Sequence, residues 1–446
     1  MAEQYDEKSI EMKIGLKMKF RMRERGCRLS LLILFGGISC FVQGQETEKL
    51  TLDACYELAE KNYPLVKQRE LIEQSKEYSV ANISKGYLPQ LSVNGQGTFQ
   101  SSVTSIPISF PGVDIPTIPK NQFKLYGEVN QPLTDLLIIK DQKDFQEIQS
   151  SIQSENLETE LYKIRERINQ LFFGVLLIDE QLRQNELFKK DIQTGIDRLS
   201  AAIDNGVEYK SSLDKLKAEL LRVRQHDIEL TASKGAYLDM LGLFIARELD
   251  PGTELEKPSS PELSPDINRP ELSVFELQQQ ALYVQNTLIT ARTMPHLGLF
   301  FQGGIGRPNP VNLFSTDVSS YYIGGVRLSW SLSNFYTLGK EKKIIGVNQG
   351  ILQSQRETFL FNTNLVLKQE DKEIAKLKEL LQSDDEIVVL RESVKNTAEV
   401  QLQNGVITAN DYLREINAED QARQTKLLHE IQLLMAQYRY QNVSGN

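Results

Sequence analysis

The amino-acid sequence predicts a mainly α-helical protein whose long antiparallel coiled-coil helices form two internal repeats, with a small membrane β-barrel portion of four strands. The first observation is a proline-free stretch, residues 134–204, whose counterpart 333–403 has the same length. The second is a set of four short segments in which apolar and polar residues alternate. The third is that both features occur twice in the same order, as expected of a duplicated unit.

Composition limits the class of protein. The chain has 446 residues with 51 Lys+Arg and 60 Asp+Glu, a net charge of -9, and a hydrophobic content of 40%. These values are typical of a soluble-looking chain rather than of a helical membrane transporter. The acidic balance offers no broad basic surface, so nucleic acid is not expected as a partner. Three cysteines cannot form a disulfide framework.

Residues 1–44 are predicted to be a secretory signal peptide. A basic segment precedes the mostly apolar stretch 29–42, which is too short to span a membrane. The sequence Val42-Gln43-Gly44 favours cleavage after Gly44. Lipid attachment at Cys40 is the alternative, although Gly37 stands where such sites usually have leucine. The protein is therefore predicted to be exported.

The rest of the chain is predicted to form two repeats, 45–247 and 271–446, joined by a linker at 248–270 that is rich in Pro, Ser and Glu. Asn205-Gly206-Val207 aligns with Asn404-Gly405-Val406 at an offset of 199 residues. Leu88-Pro89-Gln90-Leu91 aligns with Met294-Pro295-His296-Leu297 at an offset of 206. Several matches in one order indicate a duplication.

Each repeat is predicted to contain one β-hairpin, 91–131 in the first and 296–332 in the second. Each strand has about 9–11 residues of alternating pattern, the length that a tilted strand needs to cross a membrane. Four strands of a soluble sandwich are the alternative, which the surrounding long helices disfavour. Residues predicted to face lipid include Val93, Leu125, Leu299 and Val326, whereas Lys124, Glu128 and Arg327 are predicted to line the lumen.

The helical segments are predicted to form hairpins of about 100 Å. In 134–204, Leu161, Ile164 and Ile168 begin a heptad seam. A shorter helix returns after each Asn-Gly-Val turn, and the helix before each β-hairpin (50–87 and 271–293) is expected to stack end to end with it. A four-stranded sheet has two open edges that lipid cannot satisfy, so several copies must close a barrel. The pattern itself does not choose the copy number.

Local motifs reinforce this layout. They are Leu52-x5-Leu58-Ala59-x2-Asn62-x-Pro64-Leu65-Val66, Gly86-Tyr87-Leu88-Pro89-Gln90-Leu91, Arg269-Pro270-Glu271-Leu272 and the two Asn-Gly-Val turns. In this order and spacing, over residues 49–441, the chain resembles the outer membrane efflux protein family, the TolC-like channels of Gram-negative bacteria.

The resemblance implies a trimer with a twelve-strand barrel in the outer membrane and a helical tunnel through the periplasm. It implies an exit channel of a tripartite efflux or type I secretion system, with a periplasmic adaptor and an inner-membrane pump as partners and no cofactor. In such channels the turns at Asn205, Gly206, Val207 and at Asn404, Gly405, Val406 would be adaptor-docking tips. They could equally be simple helix-ending glycine turns.

The periplasmic aperture departs from the family pattern. The family often places an aspartate six residues past the tip glycine and a second acidic residue three positions later. Here Asp411 is followed by Arg414, and the first repeat has Ser212 instead of the aspartate. Residues three apart share a helix face, so Asp411 and Arg414 are expected to pair within or between protomers. The entrance is then predicted to be weakly cation-selective.

No enzyme is predicted, because no catalytic or metal-binding constellation is evident. Ser212-x-x-Lys215 lacks the companion motifs of serine acyl enzymes. Asp384-Asp385-Glu386 is interpreted as a solvated helix face rather than a metal site. Two alternatives stay open: a secreted coiled-coil scaffold without a transport role, which leaves the strands unexplained, and an exported hydrolase, which lacks a nucleophile.

Overall fold

The computed structural model describes residues 49–103, 112, 117–206, 209–312 and 315–446. The predicted signal peptide with Cys40, and Val207 of the first tip, lie outside these residues. Within them the helices and strands follow one another as α1 (Leu52–Asn62), α2 (Lys67–Ser84), β1 (Gln90–Phe99), β2 (Asn121–Pro132), α3 (Asp135–Asp204), α4 (Lys210–Ile245), α5 (Pro270–Ala291), β3 (His296–Arg307), β4 (Ser319–Ser329), α6 (Asn334–Gln403) and α7 (Ala409–Ser444).

Two very long helices dominate the fold. Helices α3 and α6 have 70 residues each, about 105 Å at 1.5 Å per residue. Helices α4 and α7, of 36 residues each, return beside them. The predicted seam is buried, since Leu161, Ile164 and Ile168 are at most 8% exposed. None of the helices in the described part of the chain is long and apolar enough to cross a membrane.

The core lies between paired helices. Its largest cluster joins α1, α3 and α4 around Phe172 and Phe173, which are fully buried together with Cys55. A second cluster lies near the turns that follow α3 and α6, where Ile192, Leu216 and Tyr412 pack together. Burial of apolar surface at both sites supplies the main force that holds each helical pair together.

The expected end-to-end stacking is found in both repeats, although in the first repeat only α2 continues the line of α4 along α3. At the start of α5, the Asn268 amide donates to the Ser444 carbonyl at 2.7 Å, so α5 continues from the end of α7. In the first repeat, Tyr63 is extended and Pro64 begins a short 3₁₀ turn, which breaks the predicted helix 50–87 in two. Asn62 Nδ2 donates to the Ile245 carbonyl at 3.2 Å. Helix α1 therefore overlaps the end of α4, and α2 extends past it.

The four strands form one antiparallel sheet in the order β1-β2-β3-β4. In its register Leu125 lies opposite Gly95 on one side and Ile305 on the other, and Leu299 lies opposite Val326. Most apolar residues of the four strands therefore share one face, as the alternation predicted, whereas Phe300 and Ile323 lie on the other face. Strands β1 and β4 are unpaired along their outer edges within the described chain.

The second hairpin is shorter than predicted. Strand β4 ends at Ser329, whereas the alternating pattern predicted a hairpin that extends to residue 332. The Trp330 Nε1 donates to the Thr293 carbonyl at 3.0 Å, which ties the strand end to the segment after α5. The aromatic ring thereby anchors the junction between sheet and helices instead of continuing the strand.

Candidate functional site

One face of the sheet is polar and carries a linked set of charges. Glu128 of β2 accepts from Arg327 at 3.0 Å and from Gln302 at 3.0 Å, so one carboxylate joins three strands. The Lys124 ammonium lies 5.6 Å from the Tyr126 ring centroid. The structure thus brings Lys124, Glu128 and Arg327 to a single face. That this face lines a lumen remains a prediction.

The opposite face is apolar and uncovered. Val93 is 80% exposed and Val326 is 62% exposed. A contiguous apolar surface of this kind is unfavourable in water and marks a membrane or partner interface. The large exposed residues of this face are Leu91, Val93, Phe99, Phe123, Leu125, Val129, Leu297, Leu299, Phe301, Ile305, Tyr322, Val326 and Leu328.

The two helical turns are built alike. Gly206 and Gly405 adopt φ values of +73° and +68°, the left-handed region that suits glycine. Asn205 Nδ2 donates to the Ala201 carbonyl at 2.9 Å, and Asn404 Nδ2 donates to the Val400 carbonyl at 2.8 Å. A Cβ added at either glycine would meet no described atom within 4 Å, so backbone conformation alone selects glycine. Val406 is 68% exposed, and the docking role of both turns remains a prediction.

The expected pair between Asp411 and Arg414 is absent within the protomer. Asp411 forms a capping box at the start of α7, where Thr408 donates to its Oδ2 from the hydroxyl at 2.7 Å and from the backbone amide at 3.2 Å. These hydrogen bonds hold the pKa of Asp411 below its ordinary value. Arg414 instead donates to Glu415 at 3.3 Å. A pair between protomers remains a prediction.

Two ion pairs connect the long helices near their turns, and no sequence pattern predicted them. The Arg198 guanidinium lies 2.5 Å from Glu399 Oε1, and the Lys395 ammonium lies 3.0 Å from Asp191 Oδ2. All four side chains are at most about one-third exposed. We call these two pairs the tip clamp, because they join α3 of the first repeat directly to α6 of the second.

The interpretation of Asp384 as part of a solvated face is wrong. Asp384 is 6% exposed, and its Oδ2 lies 2.6 Å from His429 Nδ1 of α7. Helix α7 packs against this side of α6 and buries Asp384, whereas the side chain of the adjacent Asp385 is 62% exposed. Among the described residues, no group of His, Cys, Asp and Glu side chains is arranged to hold a metal ion.

Asp420 is a buried carboxyl group between the two repeats. Its oxygens accept from Gln184 of α3 at 2.9 Å and from Gln424 of α7 at 2.8 Å. Burial raises its pKa to about 6, and the nearby negative charge of Glu419 acts in the same direction. Arg222 and His226 of α4 oppose the shift.

The raised pKa predicts that the helical region is more stable in mild acid. Between the unfolded pKa near 4 and the folded value of about 6, the folded chain binds more protons. Stability therefore falls as pH rises through this window and stays lower above it, by about 1–3 kcal/mol per chain. Asp420→Asn should narrow the difference in free energy of unfolding between pH 5 and pH 7.5. The control is Asp204→Asn at an exposed carboxylate, and an identical pH dependence in both variants would contradict the assignment.

Comparison of the sequence and the fold with known proteins identifies the class of fold. No family model and no curated protein sequence matches the chain. Among solved structures, 23 chains match. CusC, from crystal structures concerned with folding and transmembrane channel formation, matches with a TM-score of 0.66 and 13% identity over 89% of this chain and 92% of that one.

Two further structures show the same likeness. The outer membrane protein VceC from Vibrio cholerae matches with a TM-score of 0.64 and 12% identity over 89% of this chain and 96% of its own. The open state of the MtrE outer membrane channel from Neisseria gonorrhoeae matches with a TM-score of 0.64 and 11% identity, with 89% of each chain covered. The chain therefore has the fold of the TolC-like outer membrane channels. The resemblance predicted from the sequence is confirmed at the level of the fold.

Proposed function

We propose that the protein is an outer membrane exit channel, a passive conduit through which small molecules leave the periplasm or an inner-membrane pump for the outside. One observation carries this proposal: an open-edged sheet with an uncovered apolar face continues directly into helical hairpins of about 105 Å. The fold likeness to outer membrane channels supports the same location, in a Gram-negative bacterium. A secreted coiled-coil scaffold would leave the apolar face in water.

The working form would be a homotrimer in the outer membrane. Three copies of a four-stranded sheet give twelve strands and pair every open edge. The signal peptide 1–44 would direct export. Repeats 45–247 and 271–446, joined by the linker 248–270, would supply one third of the barrel and tunnel in each copy. A twelve-strand barrel is wide enough for a passage, since barrels of eight strands are filled by their own side chains.

The internal repeat indicates where neighbouring copies meet. Ile148 and Ile152 of α3 are half-buried, and Ile152 borders a groove with Ala281 of α5. Their counterparts in α6, at an offset of 199 residues, are Val347 and Ile351, which are 61% and 51% exposed. Ile351 also borders the same groove from its other side. Helix α6 therefore offers to a neighbouring copy the kind of surface that α3 covers within the chain.

Replacing the exposed apolar residues Val347 and Ile351 should weaken the trimer. The double variant Val347→Gln with Ile351→Gln loses apolar burial at each of three interfaces, about 1–2 kcal/mol per side chain. We expect the heat-sensitive oligomer band of the outer-membrane fraction to dissociate at a lower temperature. Gln349→Ala, an exposed polar position on the same helix, is the control. Dissociation of the double variant at the wild-type temperature would contradict this interface.

Export by this channel would require a periplasmic adaptor and an inner-membrane pump, and the tips are the proposed docking elements. Gly405→Val forces a β-branched residue into the left-handed region, at a cost of about 1–2 kcal/mol, but creates no clash in the described chain. We expect trimer assembly to persist while export with the native partners falls. Gly405→Asn, which tolerates this backbone conformation, should retain export. Full export by Gly405→Val at native expression would contradict the docking role.

A further inference from the structure

Aromatic residues mark the end of the apolar sheet face that lies nearest the helices. Trp330 continues the alternation of Val326 and Leu328, and its ring is 54% exposed. It packs edge-on against Phe335 of α6 with ring centroids 6.3 Å apart. An indole ring combines an apolar body with a polar N–H and favours the boundary between hydrocarbon and water. Trp330, with Phe335 packed against it, therefore places this boundary at the junction of sheet and helices.

Several lysines lie just beyond this boundary, on the helices next to the junction. Lys342 is exposed and lies two helical turns after Phe335, which puts both on one face of α6 about 10 Å apart. Its counterpart in the first repeat is Lys143, whose ammonium lies 5.5 Å from the ring centroid of the exposed Tyr87. Lys140, one turn closer to the sheet, and Lys85 are exposed as well.

These lysines lack the ion pairs that some lysines further along the helices form. Lys76, Lys163 and Lys376 each pair with a glutamate three residues earlier on the same helix. In contrast, none of Lys85, Lys140, Lys143 and Lys342 forms an ion pair with any residue in the described ranges. A long lysine side chain lets the ammonium reach upward to the boundary while its stem stays on apolar surface. Unpaired cations at this depth are complementary to anionic headgroups.

We propose that Lys85, Lys140, Lys143 and Lys342 form a basic collar that binds anionic phospholipid headgroups in the membrane leaflet nearest the helices. The proposal rests on the proposed function, since it assumes that the apolar sheet face lies in a bilayer. It adds a lipid preference to that function: the channel recruits phosphatidylglycerol-like lipids around its base. One basic residue near a membrane surface enriches anionic lipid on the order of fivefold.

Trp330 is the only tryptophan of the chain, so its fluorescence reports on the lipid beside the collar. The full chain is reconstituted in phosphatidylcholine vesicles that contain a small fraction of either brominated phosphatidylglycerol or brominated phosphatidylcholine. Bromine quenches the indole on contact. We expect the brominated phosphatidylglycerol to quench more strongly at equal fraction, and we expect this difference to shrink at high salt.

Matched variants distinguish loss of the lipid preference from loss of insertion into the bilayer. Lys140→Gln, Lys143→Gln and Lys342→Gln together should equalise quenching by the two lipids, while quenching by brominated phosphatidylcholine shows that the variant is still inserted. Lys210→Gln, Lys215→Gln and Lys217→Gln, all exposed at the turn end of α4, should leave the preference intact. Equal quenching of the wild-type chain by both lipids would overturn the collar and leave the channel proposal standing. No quenching by either lipid would contradict membrane insertion itself.

Discussion

Val93→Arg is expected to abolish assembly in the outer membrane, whereas Asn94→Arg, one residue further, is expected to preserve it. Val93 lies near the middle of β1 on the apolar face and is 80% exposed. Asn94 lies on the polar face, opposite Tyr126. An arginine that faces lipid at the bilayer midplane costs about 2–4 kcal/mol in each copy. In a trimer the cost is paid three times, whereas an arginine in a water-filled lumen is tolerated.

The two variants form a matched pair because they add the same side chain to adjacent positions of one strand. Their heat-sensitive oligomer in the outer-membrane fraction is compared at equal expression. Equal loss of oligomer from both variants would show that the two faces of the sheet do not face lipid and water. Equal retention would mean that Val93 does not lie at membrane depth.

Removal of the tip clamp should produce the second large effect, an increase in channel conductance. The clamp joins α3 to α6 through Arg198–Glu399 and Lys395–Asp191. Partly exposed ion pairs contribute about 0.2–1 kcal/mol each, and a trimer would contain six of them. The double variant Arg198→Gln with Lys395→Gln therefore weakens the contact between α3 and α6 by several kcal/mol per trimer at most, which should let the turns move apart. We expect larger or longer conductance steps in a planar bilayer.

Two controls isolate the clamp. Arg183→Gln removes a cation that pairs with Glu180 three residues earlier on the same helix, so it should leave conductance unchanged. Arg198→Glu combined with Glu399→Arg restores the pair with reversed charge and should restore the wild-type steps. Conductance of the clamp variant equal to that of the wild type would show that these pairs do not hold the turns together.

The parts of the fold that follow from local pattern were predictable. Helix α3 begins and ends within one residue of the predicted bounds, because a proline-free heptad seam leaves few alternatives. The sheet faces followed from strict alternation, and the register confirmed them. Pro64 is a local signal for a break in the helix, but the overlap of α1 with α4 depends on how the cluster around Phe172 and Phe173 packs. That packing is tertiary and leaves no local pattern.

The site was less predictable for two different reasons. Thr408-Ala409-Asn410-Asp411 is a capping-box signature that was present in the sequence. Its hydrogen bonds occupy the carboxylate that the spacing rule assigned to Arg414. The clamp offered no such signal, because Arg198 and Glu399 lie about two hundred residues apart on different helices. Only the arrangement of the two repeats brings them together.

Single-channel recording from the purified full chain in a planar bilayer is the decisive test of the exit-channel function. We expect discrete, stable conductance steps from the wild-type oligomer, larger steps from the clamp variant and none from Val93→Arg. An intact oligomer that inserts into the bilayer and yet gives no current, for the wild type and the clamp variant alike, would contradict the assignment of this protein as an exit channel.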